Sequence, residues 1–169
     1  MPSIILTALS IMILAFAIVA GTNFVNPAMQ SRIEVARVLS TQYAAIRSAS
    51  SAYRMENQGV RPSSMREIEG YVADGAVGGF GTRTEHFSWS IEPGISSKPV
   101  LCLSFVGGQV DYGILSGFER FAIEADAQRP GTVTFGDNCS SPSVAITPDK
   151  IATHLNETGT ALSIRFEEN

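Results

Sequence analysis

Apolar and polar positions divide the chain into three stretches. From Ile4 to Val25 nearly every side chain is apolar, with Thr7, Ser10, Gly21, Thr22 and Asn23 as small or polar exceptions. A bilayer core of about 30 Å takes roughly 20 helical residues to cross, and this run has no polar face of the kind a surface-lying helix needs. The run predicts a retained membrane anchor over residues 1–27. A buried core helix and a cleaved secretory signal are the competing readings. Ala15-Phe16-Ala17 offers an A-x-A-like cleavage site, but no positively charged segment precedes the apolar run.

Asn26-Pro27 interrupts the pattern, because proline removes a donor and disfavours helix at the residue before it. Beyond it Met29, Ile33, Ala36, Leu39, Tyr43, Ile46 and Tyr53 recur mostly at three- and four-residue steps, which predicts an amphipathic stalk helix over 28–58. Gly59 is its stop. Anchor and stalk together make a long helix in two halves, kinked or broken near Pro27. On this register Ile33, Leu39, Tyr43 and Ile46 face the rest of the protein, while Arg37 and Arg47 face water or a partner.

The remainder, 59–169, reads as an α+β head. Ser64 with Glu67 three residues on is a capping-box signature for a short helix over Met65–Tyr71. Phe87-Ser-Trp-Ser-Ile91 alternates strictly, and Val100–Phe105 is apolar and compatible with a strand. Gly113–Ala125 predicts a helix with Leu115, Phe118, Phe121 and Ala122 on one side. Further strands are expected over Thr132–Phe135, Ser143–Thr147 and Ala161–Phe166. The fold class is a long N-terminal helix, its first half membrane-spanning, packed on a mainly antiparallel sheet.

Charge changes the picture. Residues 28–66 hold six arginines against two acids, and residues 67–169 hold fourteen acids against six bases, a basic stalk on an acidic head. Arg32, Arg37, Arg47 and Arg54 lie largely off the apolar stripe and are candidates for a partner-facing surface, either anionic lipid or an acidic protein face. The overall net charge of −4 leaves no field to hold nucleic acid. Arginines flank the anchor on its C-terminal side, which under the positive-inside rule alone places that side in the cytoplasm. The cysteines argue the other way. Cys102 and Cys139 stand 37 positions apart with no C-x-x-C spacing, which suits a structural disulfide in an oxidising compartment; two buried free thiols are the alternative. A leader removed ahead of Met1 would account for missing basic residues on the other side.

The chemistry of catalysis is not visible. His86 and His154 are isolated, Gly75–Gly81 lacks the lysine and hydroxyl of a phosphate-binding loop, and no nucleophile elbow occurs. Glu67/Glu69 and Glu167/Glu168 read as solvated acids. No metal, cofactor or catalytic residue is expected.

With these elements in order, the segment Tyr53-Arg-Met-Glu-Asn-Gln-Gly-Val-Arg-Pro-Ser-Ser-Met-Arg-Glu-Ile68 resembles the aromatic–Asn–Gly–aromatic–Pro–Ser–Leu–Leu pattern with which type IV pilins and pseudopilins leave their long helix. Val60-Arg61 stands where an aromatic is usual, and Ile5 stands where mature pilins carry a glutamate. The resemblance implies a minor pilin-like subunit or an accessory factor, in the manner of the small PilM-like inner-membrane proteins, rather than a major filament subunit. It further implies a single-pass bacterial inner-membrane protein whose head is periplasmic or carried into an extracellular pilus, with Cys102 and Cys139 similar to the paired cysteines of the pilin C-terminal region. The expected partners are other pilin-like or pilus-assembly membrane proteins, plus lipid through the N-terminal helix. Thr7, Ser10, Ala17 and Gly21 lie along one side of the apolar run and are the candidate contacts for helix association. An exported binding or adhesion module with a cleaved signal is the alternative function.

Overall fold

A computed structural model describes residues 11–12, 27–72, 87–93, 98–105, 112–128, 130–136, 138–139, 144–145 and 161–165. The apolar run therefore lies outside the described residues except for Ile11 and Met12, which are helical and exposed. Among the described residues no helix is long and apolar enough to cross a membrane. The break expected near Pro27 and the contacts expected at Thr7, Ser10, Ala17 and Gly21 also fall outside them.

Helix α1 spans Pro27–Glu56. After Pro27 it contains neither glycine nor proline, so nothing interrupts its backbone bonds. It stops where Gln58 and Gly59 turn to positive φ, 55° and 86°. There the Gly59 N–H reaches back to the Arg54 carbonyl at 2.8 Å, closing a Schellman-type end, and the Asn57 side-chain amide donates to the Tyr53 carbonyl at 2.8 Å. The buried face of α1 follows the expected stripe through Ala36, Leu39, Tyr43, Ile46 and Tyr53 but departs from it at the N-terminal end. Val35, Ala36, Leu39, Ile46 and Ala49 are buried, but so are Ser31, Gln42 and Ser50, whereas Met29 and Ile33 are 62% and 50% exposed. The expectation that Ile33 faces the core is corrected. At that end the buried face runs through Ser31 and Val35, two positions to either side of Ile33.

A short helix α2, Met65–Ile68, continues as a single 3-10 turn over Glu69–Tyr71. Its cap departs from the expected box. Ser64 occupies the N-cap with an extended backbone but makes no side-chain cap, and Glu67 instead takes the N–H and hydroxyl of Ser63 at 2.7 and 2.9 Å. The carboxylate reaches back one residue further than the pattern implied.

Among the described residues five strands follow, with one more helix between them. They are β1 (Phe87–Pro93), β2 (Pro99–Phe105), β3 (Val133–Gly136), β4 (Val144–Ala145) and β5 (Ala161–Arg165), with α3 (Tyr112–Gln128) between β2 and β3. They form one antiparallel sheet in the order β1-β2-β5-β3-β4. The fold is α+β. Alternation decides which face is covered: Phe87, Trp89 and Ile91 pair in register with Phe105, Leu103 and Leu101; all but Phe105 join or pack on the main core with Val133 and Phe135, and buried Phe105 meets the Phe87 and Phe118 rings. Val100, Cys102 and Cys139 form a separate buried cluster.

Helices α1 and α3 lie against each other over the covered face. Gly117 permits this approach, since a Cβ there would stand 2.7 Å from the Val35 Cβ and 2.9 Å from the Arg32 carbonyl oxygen. Phe118 and Phe121 then reach from α3 to the sheet. Phe118 stacks on Phe87 at 5.7 Å, and Phe121 meets Trp89 and Tyr43 edge-on, both at 6.0 Å. The Trp89 indole N–H donates to the buried Gln42 side-chain oxygen at 2.9 Å, which explains a glutamine on the inner face of α1.

Candidate interaction face

The disulfide forms. Cys102 on β2 bonds Cys139, just past β3, with their Cα atoms 5.9 Å apart and both side chains buried. Closing a loop of this length stabilises by about 3–4 kcal/mol in the chain-entropy account.

The four stalk arginines do not act as one surface. Arg32, Arg37 and Arg47 are exposed, but Arg54 is half-buried, and its Nε lies buried with no hydrogen-bond partner. At about 100° per residue, Arg32 and Arg47 fall on the side of α1 beside α3, while Arg37 points away from the core. The seam between the two helices opens outward as two shallow troughs. One, of about 400 Å³, is lined by Tyr43, Arg47, Ser51, Phe121 and Gln128 among others. The second, of about 320 Å³, is lined by Met29, Arg32 and Ile33 from α1 and by Arg120, Ile123 and Glu124 from α3. Glu124 lines both troughs and accepts from the Arg120 Nε at 2.7 Å, one helical turn away. With both partners more than two-fifths exposed, that pair orders the rim more than it stabilises the fold.

A second polar cluster ties the end of α1 to the segment after it. The Tyr71 hydroxyl donates to Glu56 at 2.5 Å, and the Tyr53 and Tyr71 rings meet edge-on at 6.1 Å. Partial burial, and then the charge and hydrogen bond of Glu67, push the Tyr53 phenol above its ordinary value. Tyr71 is raised first by its bond to Glu56 and then by burial. Glu67 is held below the ordinary carboxylate range, chiefly by the Ser63 backbone N–H and then by the Ser63 hydroxyl. Each tyrosine acts as a neutral donor to a carboxylate, Tyr53 to Glu67 and Tyr71 to Glu56. The arrangement is a clasp. The two Tyr–Glu pairs were missed in the sequence, where Glu67 read as a solvated acid and Tyr53 only as a stripe position; a tyrosine near each end of the Asn-Gln-Gly turn was the available signal.

Among the described residues, no three His, Cys, Asp or Glu side chains come together as a metal site would require. His86 and His154 lie outside them. What the described surface offers is a seam with exposed apolar side chains and arginines at one end. No protein-family model matches the chain, and no curated protein or solved structure is significantly similar to it, so this seam is read from its own geometry.

Proposed function

We propose that the chain is a membrane-anchored, non-enzymatic structural or assembly component of a type IV pilus-like or type II secretion-like system, of the minor-pilin or accessory-factor kind. Residues 1–27 are the anchor, and the head is exported to the periplasmic side of a bacterial inner membrane or carried into the pilus. The observation that carries this reading is the double role of α1. Its inner face belongs to the same core as the sheet, while its sequence follows directly on the apolar stretch ending at Val25. A force or displacement that reaches α1 would pass to the head through packed side chains. The Cys102–Cys139 bond supports an oxidising compartment.

The test is cross-linking in native membranes, with mass identification of whatever is joined to this protein, together with its intact mass. The expected result is a retained N-terminal run and adducts with other single-span pilus or secretion components. Loss of about 17–20 residues from the N-terminus would instead mark secretory cleavage and an exported binding module. Adducts confined to unrelated soluble proteins would overturn the assembly role.

A further inference from the structure

Large apolar side chains left open to water need a reason when they gather in one place. Met29 and Ile33 on α1, both half or more exposed, border the same trough as half-buried Ile123 on α3, with Arg32 and Arg120 at its rim. Position in the chain supplies one reason. Val25 ends the apolar run, and Met29 lies four residues beyond it, a reach of at most about 14 Å in any conformation. A run that spans the hydrocarbon core therefore leaves Met29 in or beside the headgroup layer, which is about 5–8 Å thick on each side.

Charge supplies a second. Within the trough two arginines face one acid, and that acid, Glu124, is already bonded to Arg120. Residues 28–66 are net positive, and residues 67–169 carry an excess of eight acids. An anionic surface would attract this end and repel the rest of the head. Apolar side chains interleaved with arginines, whose stems lie along apolar surface while their heads reach phosphate, suit that boundary.

We infer that the Met29–Ile33–Ile123 trough is a seat for anionic phospholipid: the three apolar side chains enter the headgroup boundary, and Arg32 and Arg120 bind lipid phosphates. The inference rests on the anchored reading and adds that the head is held against the membrane in one orientation.

The test uses the full chain carrying Gln30→Cys or, as a control, Ser51→Cys, each labelled with an environment-sensitive fluorophore. The native cysteines are bonded to each other and take no label. The protein is reconstituted into vesicles of phosphatidylcholine alone or with phosphatidylglycerol, each containing a spin-labelled lipid quencher. Flotation after an alkaline wash reports the anchor separately. The expected result is flotation in both lipids, with the label at position 30 quenched more deeply in anionic than in neutral vesicles and the label at position 51 quenched in neither. Arg32→Gln and Arg120→Gln should each lower the ratio of seated to unseated head about fivefold in anionic vesicles only. Met29→Ser with Ile33→Ser should weaken seating in both lipids. Flotation with equal quenching at position 30 in the two lipids would overturn the seat and leave the anchor standing, whereas failure to float would overturn both. Self-quenching at position 30 that grows with protein density, without lipid quenching, would assign the trough to a second copy and overturn the lipid seat.

Discussion

Replacing Gly117 with alanine adds one methyl group where α1 and α3 are closest. The new Cβ would stand 2.7 Å from the Val35 Cβ, 2.9 Å from Val35 Cγ1 and 2.9 Å from the Arg32 carbonyl oxygen. Carbon atoms rest at about 3.5–4.0 Å, so the helices must part by about 1 Å or the side chains must leave their rotamers. Two of the three obstacles, Val35 Cβ and Arg32 O, belong to or are fixed by the backbone of α1 and cannot swing aside. Overpacking of this kind costs about 1–3 kcal/mol, against a gain of about 1 kcal/mol from replacing a mid-helix glycine. The rigid obstacles place the cost toward its upper end, so the expected net loss is about 1–2 kcal/mol. For a chain of this size that lowers Tm by about 2–8 °C, measurable by thermal or urea melts followed by Trp89 fluorescence. Val35→Ala in the same background removes Cγ1 but neither rigid obstacle, so it should restore little. A Gly117→Ala protein that melts at or above the wild-type temperature would show that propensity outweighs the contact and that the helices are not in close approach there.

Four further outcomes are expected. A bulky thiol reagent added to denatured protein should give no mass shift before reduction and two additions afterwards, and replacing both cysteines with alanine should cost about 3–4 kcal/mol. Ile46→Asp should cost several kcal/mol by burying an unpaired carboxylate, while Arg47→Ala and, against its apolar character, Ile33→Asp should each change stability by less than about 1 kcal/mol in melts. Gln42→Leu leaves the Trp89 indole N–H without its acceptor and should cost about 1–3 kcal/mol, with a shift in tryptophan emission reporting the changed environment. Glu67 titrates below the ordinary carboxylate range, so the stability it lends is complete above the unfolded-state value and is lost as pH falls through the lower folded one; acid titrations of stability should lose that component in Glu67→Gln and keep it in Ser64→Ala.

The strands were legible because each had a local signature. Strict alternation over Phe87–Ile91 marks a half-covered strand, and the apolar stretch at Val100–Phe105 marks its neighbour. The α3 helix was legible too, with Phe118, Phe121 and Ala122 buried on one side as their spacing implied, although Ile114 rather than Leu115 completes the buried set. The inner face of α1 was misread for a physical reason. A stripe drawn through apolar residues assumes that burial follows hydrophobicity, but a contact with another helix selects for size, and a bond to a buried indole selects for a polar acceptor. Gln42 is buried as the acceptor of the Trp89 indole, Ser31 lies beside the close approach at Arg32 and Val35, and Met29 and Ile33 are left outside. The candidate arginines were legible as cations but not as a surface, since helical angle and the position of α3 divide them. The cysteine pair was the easiest long-range inference because two cysteines admit a single pairing within one chain.

Strand order was beyond local reading, and it has a consequence for how the protein is built. The hairpin β1–β2 and the pair β3–β4 share no direct hydrogen bonds; they meet through β5, which pairs with β2 on one side and β3 on the other. Residues 161–165 therefore act as a keystone, and until they have cleared the ribosome the head holds two separate ribbons with open edges. For a chain delivered N-terminus first, the stalk would be in place before its own sheet could close, leaving an interval in which a chaperone has something to hold. The same arrangement makes the head intolerant of C-terminal trimming: a protease that removes β5 does not shorten the sheet but splits it, and the damage would reach β1 at the far edge.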